Sequence, residues 1–415
     1  MGYLCPMLRW IIFIAIYLAL GLYALQALKT VTRYPWVHYL FIAIALLVLG
    51  NFIYQFTLGE EEGRVLSKPK SYAFGLLLTV MAFQLITILF LFSEDIFRLV
   101  AGLYHKFSGN DKTFTLPQRR KFLSLIGLGL AAIPFGALLY GMYRGKYNFQ
   151  VLKYNLEFED LPEEFDGYQI TQISDVHSGS FDDRKKIEYA INLINEQQSD
   201  VILFTGDMVN NKCEEMIPWA DLFSTLRAKD GKFSVLGNHD YGDYVAWDTP
   251  ELKRKNLDDL KNLQREMGFD LLLNEHRYLE KEGAKIALVG VENWGRGGFK
   301  KAGDLTKAST QIEPEDFKIL MSHDPSHWED VVLQDKYHYH LTLSGHTHGM
   351  QFGIEIPGWI KWSPVKWRYK YWAGIYKEMG QFINVNRGFG FLGYPGRVGI
   401  WPEISVITLK RKPLT

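Results

Sequence analysis

Four stretches of the chain carry no charged residue: Trp10–Leu28, Val37–Leu58, Tyr72–Phe92 and Phe122–Tyr143. Crossing a hydrocarbon core of about 30 Å takes roughly 20 helical residues, and each stretch is close to that length. Buried helices of soluble proteins seldom stay uncharged for so long four times in succession. The pattern therefore predicts a multi-pass transmembrane region of four helices over residues 1–146. Trp10, Trp36, Tyr72, Tyr140 and Tyr143 fall near the ends of the spans, where an interfacial aromatic belt belongs. Between the third and fourth spans, Ile96, Phe97, Val100, Leu103 and Tyr104 recur at helical spacing. This predicts an amphipathic helix, lying on the membrane or packed on the bundle.

Past about Tyr147 the pattern changes to short β-branched runs alternating with charged helical stretches. Strands are predicted at Gln169–Ser174, Val201–Thr205, Phe233–Leu236, Lys285–Val291, Phe317–Met321, His340–Leu343 and Ile404–Leu409. Ile187, Ala190, Ile191 and Ile194 mark the apolar face of one intervening helix, and Met216, Trp219, Leu222, Phe223 and Leu226 that of another. Alternating strands and helices imply an α/β layer fold over residues 147–415.

Charge sets the orientation. Lys29, Arg33, Arg98, Lys106, Lys112, Arg119, Arg120 and Lys121 lie in one set of loops. The opposite set holds Arg9, Arg64, Lys68 and Lys70, diluted by Glu60, Glu61 and Glu62. The richer set should be cytoplasmic, which puts the α/β domain on the outer side of the plasma (inner) membrane. Gln118-Arg119-Arg120-Lys121-Phe122-Leu123 resembles a twin-arginine export signal placed internally, or else a basic helix anchor, and either agrees with that side. Overall, 46 basic residues balance 46 acidic ones, which gives no support to a nucleic-acid binder. The two cysteines, Cys5 and Cys213, are too few for a disulfide framework.

The chemistry-bearing residues cluster after the strands. Ser174-Asp175-Val176-His177, Gly206-Asp207, Gly237-Asn238-His239-Asp240, Ser322-His323-Asp324 and Gly345-His346-Thr347-His348-Gly349 each follow a predicted strand. Taken singly, each is ordinary turn chemistry. Five at one sheet edge, where open α/β sheets bind ligands, gather carboxylates, imidazoles and an amide around one cavity. Nitrogen and oxygen donors without thiolate suit Mn, Fe or Zn.

This ordered set resembles the calcineurin-like metallophosphoesterase family, in particular its membrane-associated bacterial branch. The resemblance covers roughly Asn155–Leu409. It implies a four-layer α/β/β/α catalytic domain with two divalent metal ions. Asp175, His177 and His348 would bind one ion, and Asn238, His323 and His346 the other. Asp207 would bridge both, and His239 would stand beside them as the catalytic acid. The implied reaction is attack on phosphorus by a hydroxide shared between the ions, with no covalent phosphoenzyme. Many relatives read Gly-Asp-x-x-Asp at the second motif; Asn210 stands here instead, which puts one supporting hydrogen bond in question. Arg387 and Arg397, near an arginine–glycine segment similar to the branch's, are candidates for holding a substrate phosphate, against surface salt bridges.

Directly after the last motif, Pro357–Trp372 holds Trp359, Trp362, Trp367 and Trp372, four of the chain's 11 tryptophans, interleaved with Lys361, Lys366, Arg368 and Lys370. Aromatics mixed with cations suit a membrane interface, so this segment is either a lid that admits an amphiphilic phosphoester or a packed aromatic loop. The expected function is a membrane-anchored phosphoesterase acting on a phosphomonoester, phosphodiester or pyrophosphate, lipid-linked substrates included. The alternatives are a metal-binding sensor or assembly protein without turnover, and a nucleotide-lipid pyrophosphatase if the domain faces the cytoplasm. A transporter is disfavoured, because the spans lack the charged residue that such pathways usually show.

Overall fold

The computed structural model describes residues 6–57, 65–108, 117–356 and 358–412. Cys5, Leu58, Glu60, Glu61, Glu62, Arg64, Lys112 and Pro357, which entered the reading above, lie outside them. The chain divides into two compact units, Met1–Glu60 with Ser67–Tyr143, and Glu61–Leu66 with Arg144–Thr415.

The first unit is helical: α1 (Pro6–Val31), α2 (Pro35–Thr57), α3 (Lys68–Phe107) and α4 (Pro117–Tyr143). All four are long and apolar enough to cross a membrane. Tyr17, Ala45, Leu49, Leu77 and Val80 pack inside the bundle, while Leu47, Leu89 and Ile133 stay exposed, as on a surface solvated by lipid. The third helix corrects one expectation. Ile96–Tyr104 is no separate surface helix but the end of α3, a single 40-residue helix of about 60 Å. No proline interrupts it after Phe92, its one glycine there, Gly102, stays helical, and the acidic residues it gains find partners. Arg120 donates to Glu94 (3.1 Å) and Asp95 (2.6 Å), and the Tyr23 hydroxyl donates to Asp95 (2.6 Å). Arg119 stacks 3.6 Å above the Phe97 ring.

The second unit contains fourteen strands among the described residues. They are β1 (Gln150–Phe158), β2 (Gln169–Ile173), β3 (Val201–Phe204), β4 (Lys232–Ser234), β5 (Phe269–Leu271), β6 (Glu275–Lys281) and β7 (Ala284–Gly290). Then come β8 (Phe317–Met321), β9 (Leu341–Ser344), β10 (Ile354–Ile356), β11 (Ile360–Trp362), β12 (Gly374–Glu378), β13 (Gln381–Val385) and β14 (Glu403–Arg411). One six-stranded sheet runs β1-β14-β2-β3-β4-β5 and the other β12-β13-β9-β8-β7-β6, with β10 and β11 forming a separate hairpin. Neighbours from β2 to β5 are parallel, as are β7, β8, β9 and β13.

Side-chain alternation builds the layers. In β3, Val201 and Leu203 enter the core shared by the two sheets, together with Ile319, Met321, Leu341 and Leu343 of the second sheet. Ile202 and Phe204 face the other way, against Ile187, Ala190, Ile191 and Ile194 of α5 (Arg184–Asn195). The second sheet is covered on its outside by Trp328, Val332 and Tyr339. The result is an α/β/β/α sandwich. Inside it, Gln172 donates to Ser344 O (2.9 Å) and accepts from Asn384 Nδ2 (2.7 Å), which ties the site end of β2 to β9 and β13.

Candidate metal centre

Five strands end at the same place. After β2 come Asp175 and His177, after β3 Asp207, after β4 Asn238 and His239, after β8 His323, and after β9 His346 and His348. Asp175, His177 and His348 bring ligand atoms within 4.8 Å of one another, and Asp207, His323 and His346 do the same. Asp207 Oδ2 lies 3.6 Å from His177 Nε2 and 3.1 Å from His323 Nε2, reaching one histidine of each group. Asp175 Oδ1 is 3.1 Å from His348 Nε2, and the Nε2 atoms of His177 and His348 stand 3.0 Å apart.

The backbone is bent to make this happen. Asp175 (φ 51°), His177 (47°), Asp207 (59°), His346 (71°) and His348 (50°) all adopt the left-handed conformation. Each such non-glycine residue costs on the order of 1–3 kcal/mol and persists only where the surroundings fix it. Glycines allow the close approach of the loops: a Cβ on Gly237 would lie 2.2 Å from Asp207 Oδ1.

Supporting hydrogen bonds set each ring. His323 Nδ1 donates to Thr205 O (2.7 Å), so its Nε2 turns to Asp207. His177 Nδ1 meets Asn210 Oδ1 at 3.1 Å, so the asparagine at the departing position supplies the supporting bond. Tyr369 OH is 2.8 Å from His346 Nε2, which leaves Nδ1 of that ring for the cluster. Asn238 donates to Tyr244 OH (2.9 Å), and among the described residues its buried Oδ1 has no hydrogen-bond partner. His239 Nδ1 donates to Asn210 O (2.8 Å), and its backbone N–H donates to Asp207 Oδ1 (2.8 Å).

Burial alone would raise the Asp175 carboxyl, but His348 beside it holds it below the usual carboxylate range. Asp207 is likewise lowered against its burial, by His323 and His239. Burial pushes His346 down to about 4 and lowers His177 and His239. Only His323 goes up against burial, to about 10, drawn by Asp207. Charged carboxylates, neutral imidazoles and a demand for positive charge at Asp207 are what a cation site requires. The orphaned Asn238 oxygen and the sulfur-free donor set fit divalent ions of the Mn, Fe or Zn kind. His239 and His346 are half-buried while the other six residues are buried, so access to the cluster runs past these two rings.

Asp240 is the residue whose role the sequence reading missed. Its fully buried carboxylate accepts from Asp207 N (2.9 Å), Met208 N (2.8 Å), Val209 N (3.3 Å) and Gly237 N (2.8 Å), locking two ligand loops together. The signal was its place in the Gly-Asn-His-Asp run, next to His239. Arg387 and Arg397 correct the expectation in the other direction. Both are buried, so neither is a surface ion pair. Arg387 is bound by Glu355 (2.6 Å) and Glu403 (2.5 Å). Arg397 donates to Gly390 O (2.8 Å) and Gly388 O (3.2 Å), and lies 3.3 Å from His348 Nδ1. Their guanidinium groups are engaged by the protein's own acids and carbonyls.

A buried histidine–carboxylate–amide cluster at the strand ends of a two-sheet sandwich defines a metallophosphoesterase. The chain belongs to the calcineurin-like phosphoesterase family: residues 168–350 match the calcineurin-like phosphoesterase model, and residues 8–146 match "Probable Calcineurin-like phosphoesterase, transmembrane domain". It is 32% identical over 305 residues to the uncharacterized metallophosphoesterase YkuE of Bacillus subtilis, covering 70% of this chain and 97% of that one. A transmembrane protein with metallophosphoesterase domain from Danio rerio is 26% identical, over 88% of this chain and 78% of its own. The protein is thus a membrane-associated hydrolase acting on ester bonds, in a family that is generally dinuclear.

Proposed function

We propose that the two groups hold one divalent cation each, Asp175, His177 and His348 the first and Asn238, His323 and His346 the second, with Asp207 shared. The observation that carries this is Asp207 Oδ2, within 3.6 Å of a histidine from each group. Bound cations would supply positive charge for the phosphoryl oxygens and acidify a water. The chain's own part is to fix the donors: Asn210 and the Thr205 carbonyl orient two rings, and Asp240 holds the loops. His239, whose Nδ1 is committed to a carbonyl, keeps Nε2 to pass a proton to the leaving oxygen. The substrates are phosphomonoesters, phosphodiesters or pyrophosphates, with lipid-linked esters preferred.

The domain is proposed to face the outer side of the plasma membrane, from the basic-loop asymmetry. Arg120 pairs with Glu94 and Asp95, which favours a packing role for the Arg119-Arg120 pair over use by a twin-arginine export machinery. The reading is tested by assaying the purified protein and Asp207→Asn on bis-p-nitrophenyl phosphate and p-nitrophenyl phosphate, with Mn²⁺ or chelator. Metal-dependent hydrolysis that the variant lacks supports it. Two equivalents of bound metal without turnover of either ester would favour a sensor instead.

A further inference from the structure

The hairpin beside the metal centre is turned inside out. In β10 and β11, Ile354 pairs with Trp362 and Ile356 with Ile360, while Glu355 pairs with Lys361. Strand alternation puts the isoleucines and Trp362 on one side and the two charges on the other. A sheet with one solvated face normally turns its polar side to water. Here the charged ends face the protein: Glu355 is held by Arg387 (2.6 Å), and Lys361 donates to Ala373 O. Ile354 is 52% exposed and Ile356 43%.

The apolar exposure extends beyond the hairpin. Met350, Phe352, Ile354, Ile356, Trp359 and Trp367 are six of the ten exposed large hydrophobic residues among the described part of this unit, all within one short stretch. Trp359 and Trp367 are 77% and 75% exposed. Exposed apolar residues concentrated in this way mark an interaction surface. The neighbouring cations are Lys361, Lys366, Arg368 and Lys370. Glu355 is already engaged by Arg387, Lys370 pairs with Glu378 (2.8 Å), and Lys361 is turned to the Ala373 carbonyl, which leaves Lys366 and Arg368 as the rim. Tryptophan with a cationic rim matches the headgroup zone of an anionic bilayer. The unit is also tethered to a bilayer, because Arg144, which opens its long segment Arg144–Thr415, directly follows helix α4.

We propose that this face docks on the membrane, with Ile354, Ile356, Trp359 and Trp367 in the interface and Lys366 and Arg368 on anionic headgroups. The same segment is wired to the metal centre. Ser363 Oγ donates to Gly349 O (2.8 Å), Thr347 Oγ1 donates to Trp372 O (2.7 Å), and Tyr369 OH meets His346 (2.8 Å). A hairpin seated on lipid thus presents the ligand loops to phosphoesters at the membrane surface; this last step rests on the phosphoesterase reading, whereas the docking does not.

The test uses the full chain, with Cys5→Ala and Cys213→Ala, one copy per lipid nanodisc. A nitrobenzoxadiazole label is placed through Trp359→Cys, Trp367→Cys or, as a control on α5, Tyr189→Cys. Brominated acyl chains should quench the first two labels at least about twofold more than the control, and more strongly with phosphatidylglycerol than with phosphatidylcholine alone. Equal quenching at all three positions would overturn the proposal. So would a blue shift that brominated lipid leaves unquenched and that arises only with two copies per disc, which would make the face a protein–protein contact. Because the readout needs no turnover, quenched labels on an inactive protein would sink the enzymatic reading alone, and an active enzyme with water-exposed labels would sink the docking alone.

Discussion

His239 and Asn210 show how much at this site is decided by single atoms. With Nδ1 fixed on the Asn210 carbonyl, His239 retains one nitrogen for proton transfer. Replacing it with asparagine should lower kcat by about 10²–10⁴-fold while metal content, measured by elemental analysis, stays at two equivalents. A parallel fall in metal would make His239 a ligand. Asn210 acts one bond further out, through its Oδ1 on His177 Nδ1. Partners of this kind typically contribute about 10–100-fold in metal affinity. Asn210→Ala should therefore raise the metal dissociation constant by that factor, read by competition with a chelator, with kcat at saturating metal little changed.

At the scale of strands and loops, the centre depends on backbones passing too closely for side chains. A Cβ on Gly345 would sit 1.9 Å from Ser174 Oγ and 2.2 Å from Asp175 Oδ2, so Gly345→Ala should push the ends of β2 and β9 apart. The expected cost is about 1–3 kcal/mol together with loss of bound metal, measured by thermal unfolding and metal analysis. A second tie lies at the start of β9, where His340 Nε2 and Asp160 Oδ2 meet at 2.6 Å. Because Lys318 N donates to His340 Nδ1 (2.9 Å), the proton is on Nε2, and that bond holds Asp160 below the ordinary carboxylate range. A lowered carboxylate stabilises the fold above its unfolded value and stops doing so as pH falls through the folded one. The difference in melting midpoint between wild type and Asp160→Asn, equivalent to at most about 1 kcal/mol at this exposed position, should be present at pH 7, begin to shrink as pH falls below about 4, and vanish only once pH lies below the lowered folded value.

Strand positions were readable from sequence because parallel strands buried on both faces appear as apolar runs, as in Val201–Phe204. Helix α5 was readable from the spacing of Ile187, Ala190, Ile191 and Ile194. Hairpin β10–β11 was not: its alternation is visible, but which side faces the protein depends on Arg387, distant in sequence. The same distance hid the true partners of Arg387 and Arg397. The four roles of the Asp240 carboxylate depend on two loops meeting, which no local pattern records.

For the whole molecule, the helical unit and the catalytic unit make separate demands on Arg119 and Arg120. In the proposed orientation the pair marks the cytoplasmic end of α4, with Arg120 clasping Glu94 and Asp95 of α3. Arg119→Lys with Arg120→Lys keeps the charge and removes the twin-arginine signature. Protease protection of the catalytic unit in vesicles of known sidedness should be unchanged in the double variant, whereas retention of that unit inside would show that the signature is read by an export machinery.

Strand β14 lies between β1 and β2, joined in parallel to the first strand of the sheet and antiparallel to the second. While the ribosome is still making the chain, that slot is empty, and β1 has no neighbour to hold it in the sheet. The layer closes only after Arg411 has been synthesised. A chain threaded outward during translation would therefore finish folding on the far side and collect its ions there, so the supply of metal outside the cell would decide which pair it carries.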